Sequence, residues 1–586
     1  MRKSSITKHP SYKHVIRKYF NSKSIGKTIS ADSYPSTIDS YWFVVNPGTI
    51  LNTFDFVTVN NFKSKTIGLV QDIRALPSMV LSGKEKDNTV QQLLPLMLSS
   101  NQGVIAASVG VVGNTGIRTK SSKLKTINLP ILTGLDVRFS TKNEVLFALG
   151  VPEMETPVAA GIIEMSNGLQ IPVSLDITYL AGPDTAHMNV TGISGNKKTR
   201  YALFLLQSLI QKLLNIHKRA NKSNSISAII FNTKADDLLY LDNKAKHIEN
   251  GTRKAFQTLG LKLQPFNKVT YFLPRGSDGR PNSPHIPKYF KTYSFELTDI
   301  YDRLGLLFSS SLDPTGISFI TDYIHESWPL KDKSGKMISN WTDLTKFNHY
   351  PESVTYNRTI LQDFISRIQE YRKSPLFVDK KKRSTYLGDE IKKIKANEIF
   401  VIDVSAIPSV HEQAFVIGDV FKSINELYSI GPLSHMTQPE TSVGITKLKN
   451  KQREYSEKIS EIPKYMVIFL DEINRFIPKS QQMSRLNPVA DQILRFVIEG
   501  RSRCNILLSA QQFKSETDFR LQENIGLHII AKLGITELLA GPYYSMIDEQ
   551  VKRNIARLEK GEMIMIHPAF RHPIKVWFPN PAYHRP

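Results

Sequence analysis

Cysteine is almost missing from this chain. Cys504 is the single one in 586 residues, which excludes an internal disulfide and any cysteine-built zinc site within the chain. That usage suits a reducing compartment, so a cytoplasmic location is expected. Long hydrophobic runs are missing too. Stretches such as Val104–Val112 and Val467–Leu470 fall far short of the roughly 20 apolar residues that span a bilayer, and no membrane association is expected. Acid is scarce relative to base: 53 Asp and Glu stand against 76 Lys and Arg, for a formal net charge of +23 and a pI near 9.6. An excess of this size points to a polyanionic partner, with nucleic acid ahead of an acidic membrane surface or an acidic protein. The first 30 residues carry eight Lys or Arg and no acid, and no hydrophobic segment follows them. A secretory signal is therefore not expected, and residues 1–39 read as a basic arm.

What is present is enough apolar residue, 41%, to build cores, in a chain whose length predicts two to four domains. Residues 40–150 carry short extended segments (Tyr41–Val45, Phe56–Val59, Thr66–Asp72, Val104–Val112 and Leu135–Phe139) separated by turns such as Asn46-Pro47-Gly48. This pattern predicts a small β-barrel, whose expected role is contact between subunits rather than nucleic-acid binding. A Pro/Gly-rich connector, Val151–Pro183, comes next. The period then changes. His187–Thr191, Ile226–Asn232, Ile399–Val404, Tyr465–Leu470, Asn505–Ala510, Leu527–Leu533 and Met563–His567 are strand candidates, with helices at Thr199–Leu214 and Glu412–Leu427. Continuous apolar strands alternating with helices predict an α/β domain with a mostly parallel sheet covered on both faces. We read 151–275 and 399–586 as two parts of that core and 276–398 as a helical insertion. Gln438–Glu461 reads as a second, polar insertion.

Three constellations carry chemistry. Gly192-Ile193-Ser194-Gly195-Asn196-Lys197-Lys198-Thr199 lies between a strand and a helix, where backbone N–H groups cradle phosphates, a Lys reaches their outer oxygens and Ser or Thr holds magnesium. The spacing fits G-x-x-x-x-G-K-[ST], except that Lys197 stands where the motif has glycine. On its own such a loop is equally well a basic helix cap. The second constellation is Asp471-Glu472, closing the apolar strand Tyr465–Leu470. At the C-terminal edge of a parallel sheet, Asp471 is placed to serve a magnesium shell and Glu472 to activate a water; the bland reading is two solvated acids at a strand end. The third is Glu499-Gly500-Arg501-Ser502-Arg503 before a strand that ends in Gln511-Gln512. Arg at a subunit edge can stabilise γ-phosphate charge in a neighbour's site, and Gln at a strand end can bond the phosphate or the water. A surface Arg pair and a polar cap explain the same residues equally well.

Taken in order, the strand-loop-helix His187–Leu206, the segment Leu470–Phe476 and the run Glu499–Gln511 resemble the three main motifs of HerA-like ATPases, in the HerA/FtsK branch of P-loop motors. Phe231–Leu239 and Val401–Ser405 are similar to strand ends of bacterial members. The resemblance spans about Gly48 to the C-terminus, leaving out the insertions. It implies an ATP- and magnesium-dependent hydrolase in which an N-terminal barrel helps assemble a homo-hexameric ring of RecA-like cores. Carried over by position, Gly192, Gly195, Asn196, Lys197, Lys198 and Thr199 form the phosphate loop, with Thr199 and Asp471 at the metal. Glu472 is then the catalytic acid, Gln511 the sensor and Arg501 the finger donated in trans, with Arg503 as a second candidate finger. Relatives translocate DNA, often beside a nuclease or another effector such as an NAD-consuming enzyme. The insertions and Lys197 point toward an antiviral-defence homologue. The competing expectation is a nucleotide-stabilised ring scaffold that holds an effector and hydrolyses little; a membrane-associated secretion ATPase is disfavoured by the barrel and the lack of an anchor.

Overall fold

The computed structural model describes residues 24–30, 34–76, 104–118, 124–125, 128–182, 186–220, 225–309, 314–347, 350–351, 358–429, 462–479, 487–540, 542–545 and 547–585. Most of the expected basic arm and the whole polar stretch Gln438–Glu461 lie outside these residues. The chain forms two compact units: residues 1–175 with 530–578, and residues 176–529 with 579–586.

The first unit holds the barrel. Its strands are β1 (Gly26–Ile29), β2 (Ser40–Val45), β3 (Phe56–Asn61), β4 (Ser64–Leu76), β5 (Val104–Asn114) and, after the short pair β6 (Ile117–Arg118) and β7 (Leu124–Lys125), β8 (Asp136–Phe139). They close in the order β1-β2-β5-β4-β3-β8, each neighbour antiparallel, so no edge is left open. Alternate residues point inward, and Tyr41, Phe43, Val57, Val59, Val109 and Val137 pack the interior with no exposed surface. The barrel begins earlier than the hydrophobic pattern suggests. β1 lies inside the stretch read as an arm, because only four residues pair there and Lys27 interrupts their apolar character.

Helix α1 (Lys142–Ala148) follows, closed by a capping box in which Thr141 and Glu144 serve each other's backbone. Glu144 also binds Arg138 at 2.7 Å and Lys65 at 3.1 Å. Burial works against its charge, but these bonds outweigh it and hold the carboxyl well below its ordinary range. The Pro/Gly-rich connector is not irregular: it contains β9 (Pro157–Glu164) and β10 (Gln170–Asp176), joined by a turn in which Gly168 has φ 80°.

In the second unit β11 (Met188–Thr191), β12 (Ile226–Asn232), β13 (Val269–Pro274), β14 (Phe290–Tyr293), β15 (Ile399–Asp403), β16 (Tyr465–Leu470), β17 (Asn505–Gln511) and β18 (Leu527–Ile530) lie in the order β18-β11-β17-β16-β12-β15-β13-β14. Every pairing from β11 to β14 is parallel. β12, β16 and β17 are buried along their whole lengths, as strands covered on both faces must be. Helices α2 (Lys198–Ala220), α3 (Pro314–Glu326), α4 (Arg358–Lys373), α5 (Val410–Ser429) and α6 (Pro488–Gly500) belong to this unit. α6 starts cleanly because Pro488 opens it and the Asn487 side chain accepts from the N–H groups of Val489 and Ala490.

The stretch read as a helical insertion, 276–398, does carry helices, but it also supplies β14 and shares the sheet's core. Phe308, Trp341 and Phe364 pack in one cluster with Phe272, Phe400 and Phe415. A buried guanidinium reinforces that joint: Arg303 reaches Asp419 of α5 at 3.1 Å and Glu426 at 3.0 Å. The segment is thus built into the sheet domain. After the second unit's strands, β19 (Glu562–Ile566) and β20 (Ile574–Trp577) pair antiparallel in the first unit, and β20 pairs with β9.

Candidate functional site

Three neighbouring parallel strands end together. Thr191 of β11 sits opposite Gln511 of β17, and Leu470 of β16 opposite Ser509. The loop Gly192–Lys197 therefore leaves the sheet beside Asp471-Glu472 and runs into the N-terminus of α2, a 23-residue helix. The positive end of that helix faces the space where the strands stop.

A buried polar ladder sets this register. Asn189 donates to Ser509 Oγ at 2.8 Å and accepts from Thr191 at 2.8 Å and from Gln511 at 3.0 Å. Ser509 donates in turn to the Met188 carbonyl at 3.1 Å. Polar atoms this deep must be paired, and a shift by one residue would orphan most of them.

At the strand ends the side chains converge. Thr199 donates its hydroxyl to Asp471 Oδ2 at 2.7 Å. Lys198, buried, donates to the carbonyl of Ile193 at 3.1 Å, so its ammonium turns back over the loop. Burial lowers its proton affinity, the neighbouring Asp471 charge opposes that, and the Lys234 charge adds to it. Gly195 takes φ 83° with nothing within 4 Å of where a Cβ would stand, so the loop is open above it. Lys197 takes φ 60°. The motif's glycine position is thus left-handed here and is occupied by a residue that pays about 1–2 kcal/mol for that conformation. These groups line a cleft of about 190 Å³ together with Lys234, Asp237, Tyr583 and Arg585.

Glu472 also has a left-handed backbone, φ 53°, ψ 43°. Its N–H binds Asp471 Oδ1 at 2.8 Å. Its two oxygens are both engaged, Oε1 by Lys234 Nζ at 2.6 Å and Oε2 by Arg475 at 3.1 Å. Partial burial would raise its affinity for a proton, but the bonds and charges of Lys234 and Arg475 outweigh this and keep the carboxyl below the usual range. It is an anion throughout the neutral region.

Lys198, Thr199, Asp471 and Glu472 are therefore brought together, with Gly195 and Lys197 in the same wall. Gly192 and Asn196 are buried at the two ends of the loop. Gln511 is adjacent through its backbone, its carbonyl accepting from Gly192 N at 3.3 Å. Its side chain is turned inward instead: the amide nitrogen goes to Asn189 and the amide oxygen accepts from the Thr517 hydroxyl. Arg501 and Arg503 are at the other end of β17, in a short turn before Asn505. Asn505 and Gln511 are six strand steps of about 3.3 Å apart, so the backbone of this turn lies about 20 Å from the strand end beside the cleft. Arg503 pairs with Glu499 at 3.2 Å, and Arg501 is near enough to His187 for its charge to act on that ring.

Other residues of the cleft, among them Lys234, Asp237, Tyr583 and Arg585, have no place in the motif reading. Lys234 and Asp237 follow β12, inside the stretch Phe231–Leu239 that the family resemblance singles out. Tyr583 and Arg585 come from the chain's last residues, where Ala245 N donates to Ala582 O at 3.0 Å and His584 N to Asn243 O at 2.7 Å. Nothing in their local sequence marks these last two.

The set fits nucleotide and magnesium: an open loop at a helix N-terminus, a buried lysine whose ammonium donates to a loop carbonyl, and a hydroxyl already meeting a carboxylate. Such sites ask of the protein only one or two oxygen ligands, the phosphates and water supplying the rest.

No family model and no curated protein matches this sequence. Solved structures do show similarity. VirB4 of Thermoanaerobacter pseudethanolicus is 12% identical at a TM-score of 0.40, over 72% of this chain and 96% of that one. The bacterial conjugative coupling protein TrwBdeltaN70 is 12% identical at 0.37, over 76% and 94%. The genome packaging NTPase B204 from Sulfolobus turreted icosahedral virus 2, in complex with ATP-gammaS, is 12% identical at 0.19, over 33% and 71%. Likenesses at these identities and TM-scores do not extend to activity, and the cleft's own geometry carries the chemistry.

Proposed function

We propose that the second unit is a P-loop ATPase that binds ATP with magnesium in the cleft at Lys198 and hydrolyses it. One observation carries the reading: the Thr199 hydroxyl meets the Asp471 carboxylate at 2.7 Å, directly beside a buried lysine at a helix N-terminus. Residues far apart in sequence have no structural need to form that set, whereas phosphate transfer needs all of it. The loop amides and Lys198 hold the phosphates. Magnesium, held through Thr199 and Asp471, neutralises charge on the phosphate oxygens when bound. Glu472 orients the water and accepts its proton as the water oxygen bonds to the terminal phosphorus and the bond to the ADP oxygen breaks. Gln511 supports the loop through Asn189.

In this reading the sites are completed in a homo-hexameric ring of HerA-like type, with Arg501, or Arg503 in its place, acting in the neighbour's site. A turn whose backbone lies about 20 Å from the strand end beside the same chain's cleft supports donation in trans. The net charge of +23 supports DNA as the track, and the resemblance supports a nuclease or NAD-consuming effector as partner in antiviral defence within the cytoplasm. No helix among the described residues is long and apolar enough to cross a membrane.

A second reading, a nucleotide-stabilised ring scaffold with little turnover, is favoured by one feature: both oxygens of Glu472 are tied up by cations. Phosphate release measured with and without duplex DNA separates the two. A motor is expected to be stimulated by DNA, in a manner that fades by about 10³-fold or more in DNA affinity between 50 and 200 mM salt. Turnover indifferent to DNA favours the scaffold.

A further inference from the structure

The Lys234–Glu472 pair raises a problem that the proposed hydrolysis has to solve. A carboxylate that orients a water needs one oxygen for it, yet Oε1 holds Lys234 at 2.6 Å and Oε2 holds Arg475 at 3.1 Å. Each oxygen keeps a second lone pair, but a whole oxygen is open to the water only if one cation leaves. Arg475 is the less able to do so. It lies three residues along the same short helical turn, and its other nitrogen donates to Gln413 Oε1 at 3.2 Å. Lys234 is the more exposed of the two, its side chain 43% accessible against 32% for Arg475, and it lines the cleft shared by Gly195, Lys198 and Thr199.

The backbone that carries Lys234 is braced. The Asn232 amide donates to Ala235 O at 2.6 Å and to the fully buried Asp403 at 2.9 Å. Ser405 donates to the same Ala235 carbonyl at 2.9 Å, and Ala235 itself is left-handed at φ 39°. The loop is therefore held while the lysine's four-carbon stem can swing. The arrangement also puts two ammonium groups, Lys198 and Lys234, close enough to feel each other's charge. An anion between them relieves that repulsion.

We infer that Lys234 reads the terminal phosphate: it leaves Glu472 for the γ-phosphate when ATP enters, and so frees the carboxylate oxygen that the water needs. ADP, lacking that phosphate, leaves the ion pair intact. Lys234 is then the residue that distinguishes a triphosphate from a diphosphate and couples that distinction to the state of Glu472. This inference rests on the nucleotide reading of the cleft.

Its test is nucleotide affinity measured by calorimetry on the full chain with magnesium, using the β,γ-imido analogue of ATP and ADP as the two probes. Lys234→Ala is expected to weaken the analogue by about tenfold or more, the scale of a charged hydrogen bond, while ADP changes by less than about twofold. Lys234→Arg, which keeps the charge, is expected to retain most of the preference for the analogue. A thermal unfolding curve checks that each variant is folded, and Lys234→Gln replaces the alanine variant if that one is not. Equal loss for both probes, no loss for either, or an arginine variant as weak as alanine each overturn the role of Lys234. A wild-type protein that binds neither probe instead overturns the nucleotide reading itself.

Discussion

Thr199 and Asp471 are 272 residues apart in sequence, and the Thr199 hydroxyl donates to the Asp471 carboxylate at 2.7 Å. The contact exists because β11 and β16 both flank β17, in parallel and in fixed register. It joins the start of α2 to the end of an apolar strand with no helix or loop between them. On the function proposed above, this hydroxyl and carboxylate are the protein's share of the magnesium-phosphate site.

Lys197 stores strain that glycine would not. Lys197→Gly is expected to stabilise the protein by up to about 1 kcal/mol, the relief of a left-handed L-residue less the added freedom of the unfolded chain. Lys197→Ala keeps the strain and serves as the reference for the lost side chain. Denaturant unfolding of the two variants reads the difference directly. A glycine variant less stable than the alanine one would show that the backbone is not strained there.

His187 makes stability depend on pH. The ring is fully buried, with Nε2 against Val497 O at 2.9 Å and Nδ1 accepting from Leu507 N at 3.0 Å, so the fold needs it neutral. Burial, with help from the Arg501 charge, lowers its pKa from 6.5 to about 4. Between those values the unfolded chain binds the extra proton, so this contribution is complete above pH 6.5 and is lost as pH falls toward 4. Its size is on the order of 3 kcal/mol. His187→Gln is expected to flatten the fall in unfolding free energy across that window; an unchanged slope would contradict the assignment.

Arg501 is expected to matter to hydrolysis and not to binding. Arg501→Ala should retain ATP and lose turnover by several orders of magnitude, as for an arginine finger. Mixing it with Lys198→Ala subunits forms interfaces that pair an intact loop with an intact Arg501, and recovered activity is expected. If subunits exchange and the mixture stays inactive, donation across the interface is wrong.

Much of this could be read from residue order alone, and the reasons are local. Ile226–Asn232 and Tyr465–Leu470 are runs of apolar residues buried on both faces, so their limits in the fold match those of the pattern. The loop, Asp471 and Glu472 sit at the ends of such runs, where chain direction alone brings them to one edge. Lys234 was visible only as part of a stretch with no role attached, because its partner, Glu472, is distant in sequence. Tyr583 and Arg585 return to the cleft by tertiary contacts that leave no periodic trace. Gln511 illustrates the opposite case: a glutamine at a strand end looks available, but which face it takes depends on β11 beside it, and here its amide nitrogen donates to Asn189. β9 and β10 were hidden by composition. Gly161 and Pro172 weaken a strand pattern without preventing pairing where backbones pass closely or a strand lies at an edge.

The most direct measurement is phosphate release from magnesium-ATP by the wild type and by Glu472→Gln, with bound nucleotide followed in the same samples and Lys198→Ala as the binding control. Hydrolysis in the Glu472→Gln protein is expected to fall by about 10²-fold or more while ATP stays bound, as for loss of a positioned base. Lys198→Ala is expected to lose the nucleotide itself. A Glu472→Gln protein that turns over like the wild type, or a Lys198→Ala protein that binds ATP undiminished, would contradict the assignment of this cleft as an ATPase site.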